Sequence, residues 1–185
     1  MESVDRRALY QEFLKAFPIE YLRAMPLEKY TNLNKEDSFC YWLESKTYHL
    51  GSFWGGSSYK FGIYKYSKRP NTSDPRIMSD ANYAWYAKYG KATAEEAYTV
   101  VLDAVVAIAN HARKGEWEAI DNIDTFGDSF KWKIAFLYSN ENLIPIYKRE
   151  MLNTVSAELG MEAPNKKNIP SIQRFLMHKK GETDL

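Results

Sequence analysis

Apolar side chains recur at helical spacing near the start of the chain. Tyr10, Phe13, Leu14 and Phe17 sit three and four residues apart until Pro18 interrupts them, since proline lacks the backbone donor a helix needs. A second short apolar stretch ends at Pro26. Asn34 then reads as a helix N-cap, with Glu36 and Asp37 in the first turn where negative charge suits the dipole. Phe39, Trp42, Leu43 and Lys46 continue the spacing, and Gly51 closes the element.

From Ser57 to Tyr66 the period switches to two. Tyr59, Phe61 and Ile63 fall on one face and predict core; Lys60, Gly62, Tyr64 and Tyr66 fall on the other. Gly62 reads as a point where a ligand can come close. Gly55-Gly56 upstream predicts a tight turn, with Ser52 to Trp54 as the first arm of a hairpin. Lys68 to Ser79 is rich in Pro, Asn, Ser and Asp and reads as a surface loop. A short helix is then predicted from Ser79 or Asp80 to Gly90, carrying Tyr83, Trp85, Tyr86 and Tyr89. Trp85 lies roughly opposite Tyr83 on such a helix, which would expose an aromatic ring.

Thr93 to Glu96 fits a capping box, and the nearly all-apolar run from Tyr98 to Ala112 predicts a central buried helix ended by Gly115. Lys131 to Tyr138 and Leu143 to Tyr147 read as two strands of a hairpin. A helix with Met151, Leu152, Val155 and Leu159 on one face stops at Gly160, and Pro164 to Asn168 is a linker. Pro170 suits the first turn of a last helix carrying Ile172, Phe175 and Leu176, followed by a polar tail from His178. These elements predict one globular α+β domain over residues 1–185, with several helices packed around a small antiparallel sheet.

Composition narrows the class. Hydrophobic residues at 45% and aromatic residues at 15% of 185 argue for a packed core rather than disorder. The single Cys40 cannot form an internal disulfide, which fits a reducing, cytoplasmic setting. The first residues lack a signal-peptide run, and Val100 to Ala109 is too short to span a bilayer, so no membrane contact is expected.

Charge changes the picture more. The 29 residues from Ser45 to Ser73 contain no Asp or Glu, yet carry Lys46, Lys60, Lys65, Lys68 and Arg69. The chain as a whole carries +1, so this segment's +5 is set against −4 elsewhere. Tyr48, Phe53, Trp54, Tyr59, Phe61, Tyr64 and Tyr66 are interleaved with those cations. Positive charge alternating with ring faces is what a polyanion with stackable bases requires. Lys60, Lys65, Lys68 and Arg69 are therefore the expected phosphate contacts, and Trp54, Tyr64 and Tyr66 the expected stacking residues. Ser57 and Ser58 are candidate donors to phosphate or a base edge.

Catalytic signals are poor. His49, His111 and His178 lack metal-ligand spacing, no P-loop or GxGxxG occurs, and Cys40 reads as a small buried hydrophobe. Glu44-Ser45-Lys46 matches the E-x-K of a nuclease core but lies in a helical pattern rather than on a strand. No catalytic residue, metal or cofactor is assigned.

The segments Leu50 to Tyr64, Phe130 to Tyr138 and Gln173 to Met177 resemble N-terminal regions that precede the AAA+ motor in McrB-like restriction proteins. Those are GTP-dependent subunits that recognise DNA, often with modified cytosine, and recruit a McrC-type nuclease. The resemblance extends from about Asp37 onward and implies a DNA-targeting role, with an AAA+ GTPase motor and a McrC-type nuclease as partners. The Walker A and GTPase signatures are absent, so the chain corresponds to a targeting domain apart from its motor. The N-terminal domains of such proteins vary in fold, so no particular residue carries over.

The expectation is a non-enzymatic DNA-binding, target-recognition domain of a modification-dependent restriction or antiviral defence system. Two alternatives compete with it: a protein-interaction module docking through an exposed Trp85 and the Tyr-rich surfaces, and a metal-dependent nuclease using Glu44, Lys46 and Asp37.

Overall fold

A computed structural model describes residues 4–53, 55–68, 73–162 and 168–183. Its axis is α5 (Ala94–Lys114), a 21-residue helix. Thr93 Oγ1 accepts from the Glu96 N–H while the Glu96 carboxylate accepts from the Thr93 N–H, and Gly115 closes the far end in the left-handed region. Both ends are thus fixed by local signals the sequence announces, a side-chain cap at one and a left-handed glycine at the other. Around α5 pack α2 (Ile19–Leu22), α6 (Trp117–Asp121) and α7 (Asp128–Tyr138). Next, α1 (Arg6–Ala16) lies on α7, while α8 (Arg149–Glu158) and α9 (Ile169–Thr183) pair with each other. Short helices α3 (Leu27–Tyr30) and α4 (Phe39–Tyr41), the latter continued by a π-turn through Lys46, complete the helical layer.

The sheet is small and antiparallel, in the order β1 (Ile63–Lys65), β3 (Tyr83–Tyr86), β2 (Ile77–Ser79). Asp80 creates the β2–β3 turn: its Oδ1 accepts from the N–H groups of Asn82 and Tyr83, both at 2.8 Å. Opposite partners share a face, so Ile63 and Trp85 point together into the core. Tyr64 with Ala84, and Tyr86 with Ile77, define the outer face. The fold class is α+β, as the sequence pattern predicts.

Several elements differ from their sequence reading. Residues 83–86 form the central strand, not a helix, and Trp85 is 1% exposed; its indole N–H donates to the Lys91 carbonyl. The predicted hairpin at 131–147 is instead helix α7 followed by an irregular segment. All nine side chains from Phe130 to Tyr138 are buried, so neither period is visible and an aromatic-rich helix passes for a strand. The N-cap expected at Asn34 sits at Ser38, whose Oγ accepts from Tyr41 N–H.

The two-residue period is real only from Ile63; residues 58–61 form a 3₁₀ turn. Ser52 and Phe53 are not in a strand, and Ile77–Ser79, inside the expected loop, forms edge strand β2. Tyr59 is half-buried, not core. Helix α9 runs on through the expected tail to Thr183. Of the linker expected at 164–168, residues 164–167 lie outside the described residues, while the Asn168 side chain accepts from Ser171 N–H at the start of α9.

Candidate nucleic-acid interface

Two of the expected phosphate contacts are bound by carboxylates. Lys60 Nζ pairs with Glu44, donates to the Gly55 carbonyl at 2.8 Å, and lies 5.0 Å from the Phe53 ring centre. Its side chain keeps 19% exposure, so it is chiefly a tether between the Gly55-Gly56 turn and the π-turn. Lys65 pairs with Glu28 on α3 and sits over Tyr83; the Glu28 hydrogen bond raises its pKa. Lys68 is exposed and has no carboxylate partner among the described residues. Ser57 Oγ accepts from Tyr59 N–H as the cap of the 3₁₀ turn, and Ser58 is exposed beside it. Trp54 and Arg69, the remaining expected contacts, lie outside the described residues.

Gly62 has φ +80°, and a Cβ there would come within 2.6 Å of the Tyr89 hydroxyl and 3.0 Å of Phe126 and Val101. The close approach inferred from sequence is therefore made by the protein's own core, not by a ligand.

The outer face of the sheet carries a connected chain of tyrosines. Tyr66 contacts Tyr64 (6.5 Å between ring centres), Tyr64 contacts Tyr59 (5.2 Å), Tyr59 contacts Tyr86 (6.3 Å) and Tyr86 contacts Tyr89 (5.9 Å). All five are half-buried, and Ala84 beneath them is fully covered. Tyr66 donates to the Asp80 carbonyl and Tyr89 to the Thr125 carbonyl, which fixes both ends of the row. Burial first, then the neighbouring Tyr59 hydroxyl, pushes the Tyr64 phenol well above its ordinary pKa, so that ring stays neutral at physiological pH. Lys88 Nζ lies 5.5 Å and 5.8 Å from the Tyr86 and Tyr89 ring centres and donates to the Asp124 carbonyl. The sequence pattern places Tyr64 and Tyr66 on this face; it places Tyr59 in the core and Tyr86 on a helix, and the structure brings both into the same row.

At the Tyr59–Tyr86 end the face opens into a cleft of about 780 Å³. Its walls include Ser57, Arg76, Ser129 and Lys148, and the N-terminal ends of α7 and α8 lie on its rim. Arg76 forms a bidentate pair with Asp74, and Arg149 pairs with Asp128. Lys148 is exposed and has no carboxylate partner among the described residues. The lining holds Lys60, Arg76, Lys148 and Arg149 against Asp74, Asp128 and Glu150. The excess is a single positive charge, so long-range attraction for polyanions is modest.

Behind this surface lie two buried lysines that sequence reading left in the false hairpin. Lys133 is 0% exposed, and its Nζ donates to the carbonyls of Thr47 (2.9 Å), Leu50 (3.2 Å) and Gly51 (2.8 Å). Burial pulls its pKa down to about 7. Gly51 must be glycine: at φ +87° an added Cβ would collide with the Pro145 carbonyl and Tyr147. Lys131 similarly donates to the carbonyls of Asp121 and Ile123. These ammonium groups take the place of backbone partners in segments with no regular ladder.

The residues of the nuclease alternative do not converge. Glu44 is held by Lys60, Lys46 lies 3.6 Å from the Trp42 ring centre, and Asp37 is held by Lys29 and Asn32. Among the described residues, no group of three or more His, Cys, Asp and Glu could hold a metal ion. Cys40 is buried, as expected. Among the described residues, no helix is long and apolar enough to cross a membrane. No family model matches the chain, and no curated protein or solved structure is significantly similar to it.

Proposed function

We propose that this domain binds DNA through the outer face of its sheet, as the target-recognition part of a McrBC-like restriction or phage-defence system in the cytoplasm. The carrying observation is the five-tyrosine row, whose rings contact one another across strands β1 and β3. Tyr64 and Tyr66 provide stacking surface, extended by Tyr59 and Tyr86. Lys68 and Lys88, which pair with no carboxylate among the described residues, provide charge, and Ser57 and Ser58 provide hydroxyl donors. The sequence resemblance supplies the setting, with an AAA+ GTPase motor and a McrC-type nuclease as partners.

Fluorescence anisotropy with labelled oligonucleotides tests the reading. Tyr64→Ala with Tyr66→Ala should weaken binding by ~1–3 kcal/mol per lost stack, and unchanged affinity would remove the face from the site. A protein partner docking on the same tyrosines is the second reading, favoured by the carboxylate pairing of Lys60 and Lys65. It predicts salt-insensitive association and no retention on heparin.

A further inference from the structure

We propose that the ligand of this face is an unpaired nucleic-acid strand, with Tyr59 and Tyr86 as a two-nucleotide stacking platform at the mouth of the cleft. The inference rests on the nucleic-acid reading above and narrows it to the strand state of the ligand. Bases in a duplex rise about 3.4 Å per step, and their faces are covered by their neighbours. Tyr59 and Tyr86 stand 6.3 Å apart with their planes tilted by only 37°. That separation is nearly twice the duplex rise and matches bases spread apart, one to a ring.

Both tyrosines line the cleft, so their solvent side is open. A cavity of about 780 Å³ lies within the range of single small-ligand sites and gives room for a nucleotide or two. The other links of the row lead away at 5.2 Å to Tyr64 and 6.5 Å to Tyr66, giving a strand a continuing path along β1.

Charge is placed to match. Lys148 is on the cleft wall and Lys88 beside Tyr86, neither with a carboxylate partner among the described residues, while Arg76, held by Asp74, lines the same cleft from the β2 edge. Two such lysine contacts would give a log–log salt slope of about −1.4, since each phosphate on a single strand contributes about −0.7. Stacking, not charge, would then set the affinity.

Anisotropy titrations should use one labelled sequence as single-stranded DNA, single-stranded RNA and duplex DNA. Either single strand should bind at least ~10-fold tighter than the duplex, because each stacked base is worth about a decade in affinity. Tyr59→Ala with Tyr86→Ala should lose that preference, while Tyr59→Phe with Tyr86→Phe keeps the rings, the fold and the preference. Duplex binding equal to or tighter than single-strand binding overturns this inference and leaves DNA binding standing. Loss of preference in the Phe pair, with an unchanged thermal melt, also overturns it, since stacking does not need the hydroxyls. Failure to bind any of the three probes overturns both.

Discussion

Lys133 has no carboxylate partner among the described residues, and its ammonium is held by three backbone carbonyls. Of these, the Leu50 carbonyl also accepts from Tyr147 and the Thr47 carbonyl from Leu50 N–H, so Lys133→Met would orphan chiefly the Gly51 carbonyl. A loss of ~1–3 kcal/mol is expected in urea unfolding at neutral pH. Below about pH 7 the folded and unfolded chains both carry this proton; between about 7 and 10.5 only the unfolded chain keeps it. Lys133 therefore adds stability as pH rises through that window. The carbonyl acceptors favour the charged form and reduce the gain below the ~1.4 kcal/mol per pH unit of an isolated shift. Comparing pH 6.5 with 8.5, wild type should gain stability relative to Lys133→Met; parallel profiles would show that the buried amine does not titrate there. Lys60→Ala should act mainly on folding, costing ~1–3 kcal/mol by stranding Glu44 and the Gly55 carbonyl. A large affinity loss with an unchanged melt would return Lys60 to the phosphate contacts.

At the scale of elements, Gly62 decides how β1 leaves the 3₁₀ turn. Gly62→Ala combines a left-handed backbone penalty of ~1–2 kcal/mol with a clash against Tyr89. The variant should melt lower, and its Tyr89–Thr125 hydrogen bond should loosen; a wild-type melt would mean the turn relaxes easily. Helix α5 was legible because its caps are local, Thr93 and Glu96 at one end and Gly115 at the other. Helix α9 was legible in the same way from Pro170. Helix α7 was not, because burial on every side erases the 3.6-residue rhythm. Strand β3 was hidden by Ala84 and Trp85, adjacent residues both buried, on opposite faces. The basic ribbon was read correctly as a run of charges, but Glu28 and Glu44, which neutralise Lys65 and Lys60, lie far away in sequence. Ion pairs across such distances leave no local trace.

For the whole molecule, the helices form a support that presents one small aromatic sheet face and the cleft at its end. Little net charge surrounds that cleft, so binding through it should depend on rings more than on ionic strength. The most direct measurement is amide and aromatic NMR shift mapping on the intact chain during titration with an oligonucleotide. Saturable shifts centred on Tyr59, Tyr64, Tyr66 and Tyr86, persisting at moderate salt, are the predicted result. Shifts confined to a different surface, or none at millimolar oligonucleotide, would contradict a nucleic-acid role for the tyrosine face.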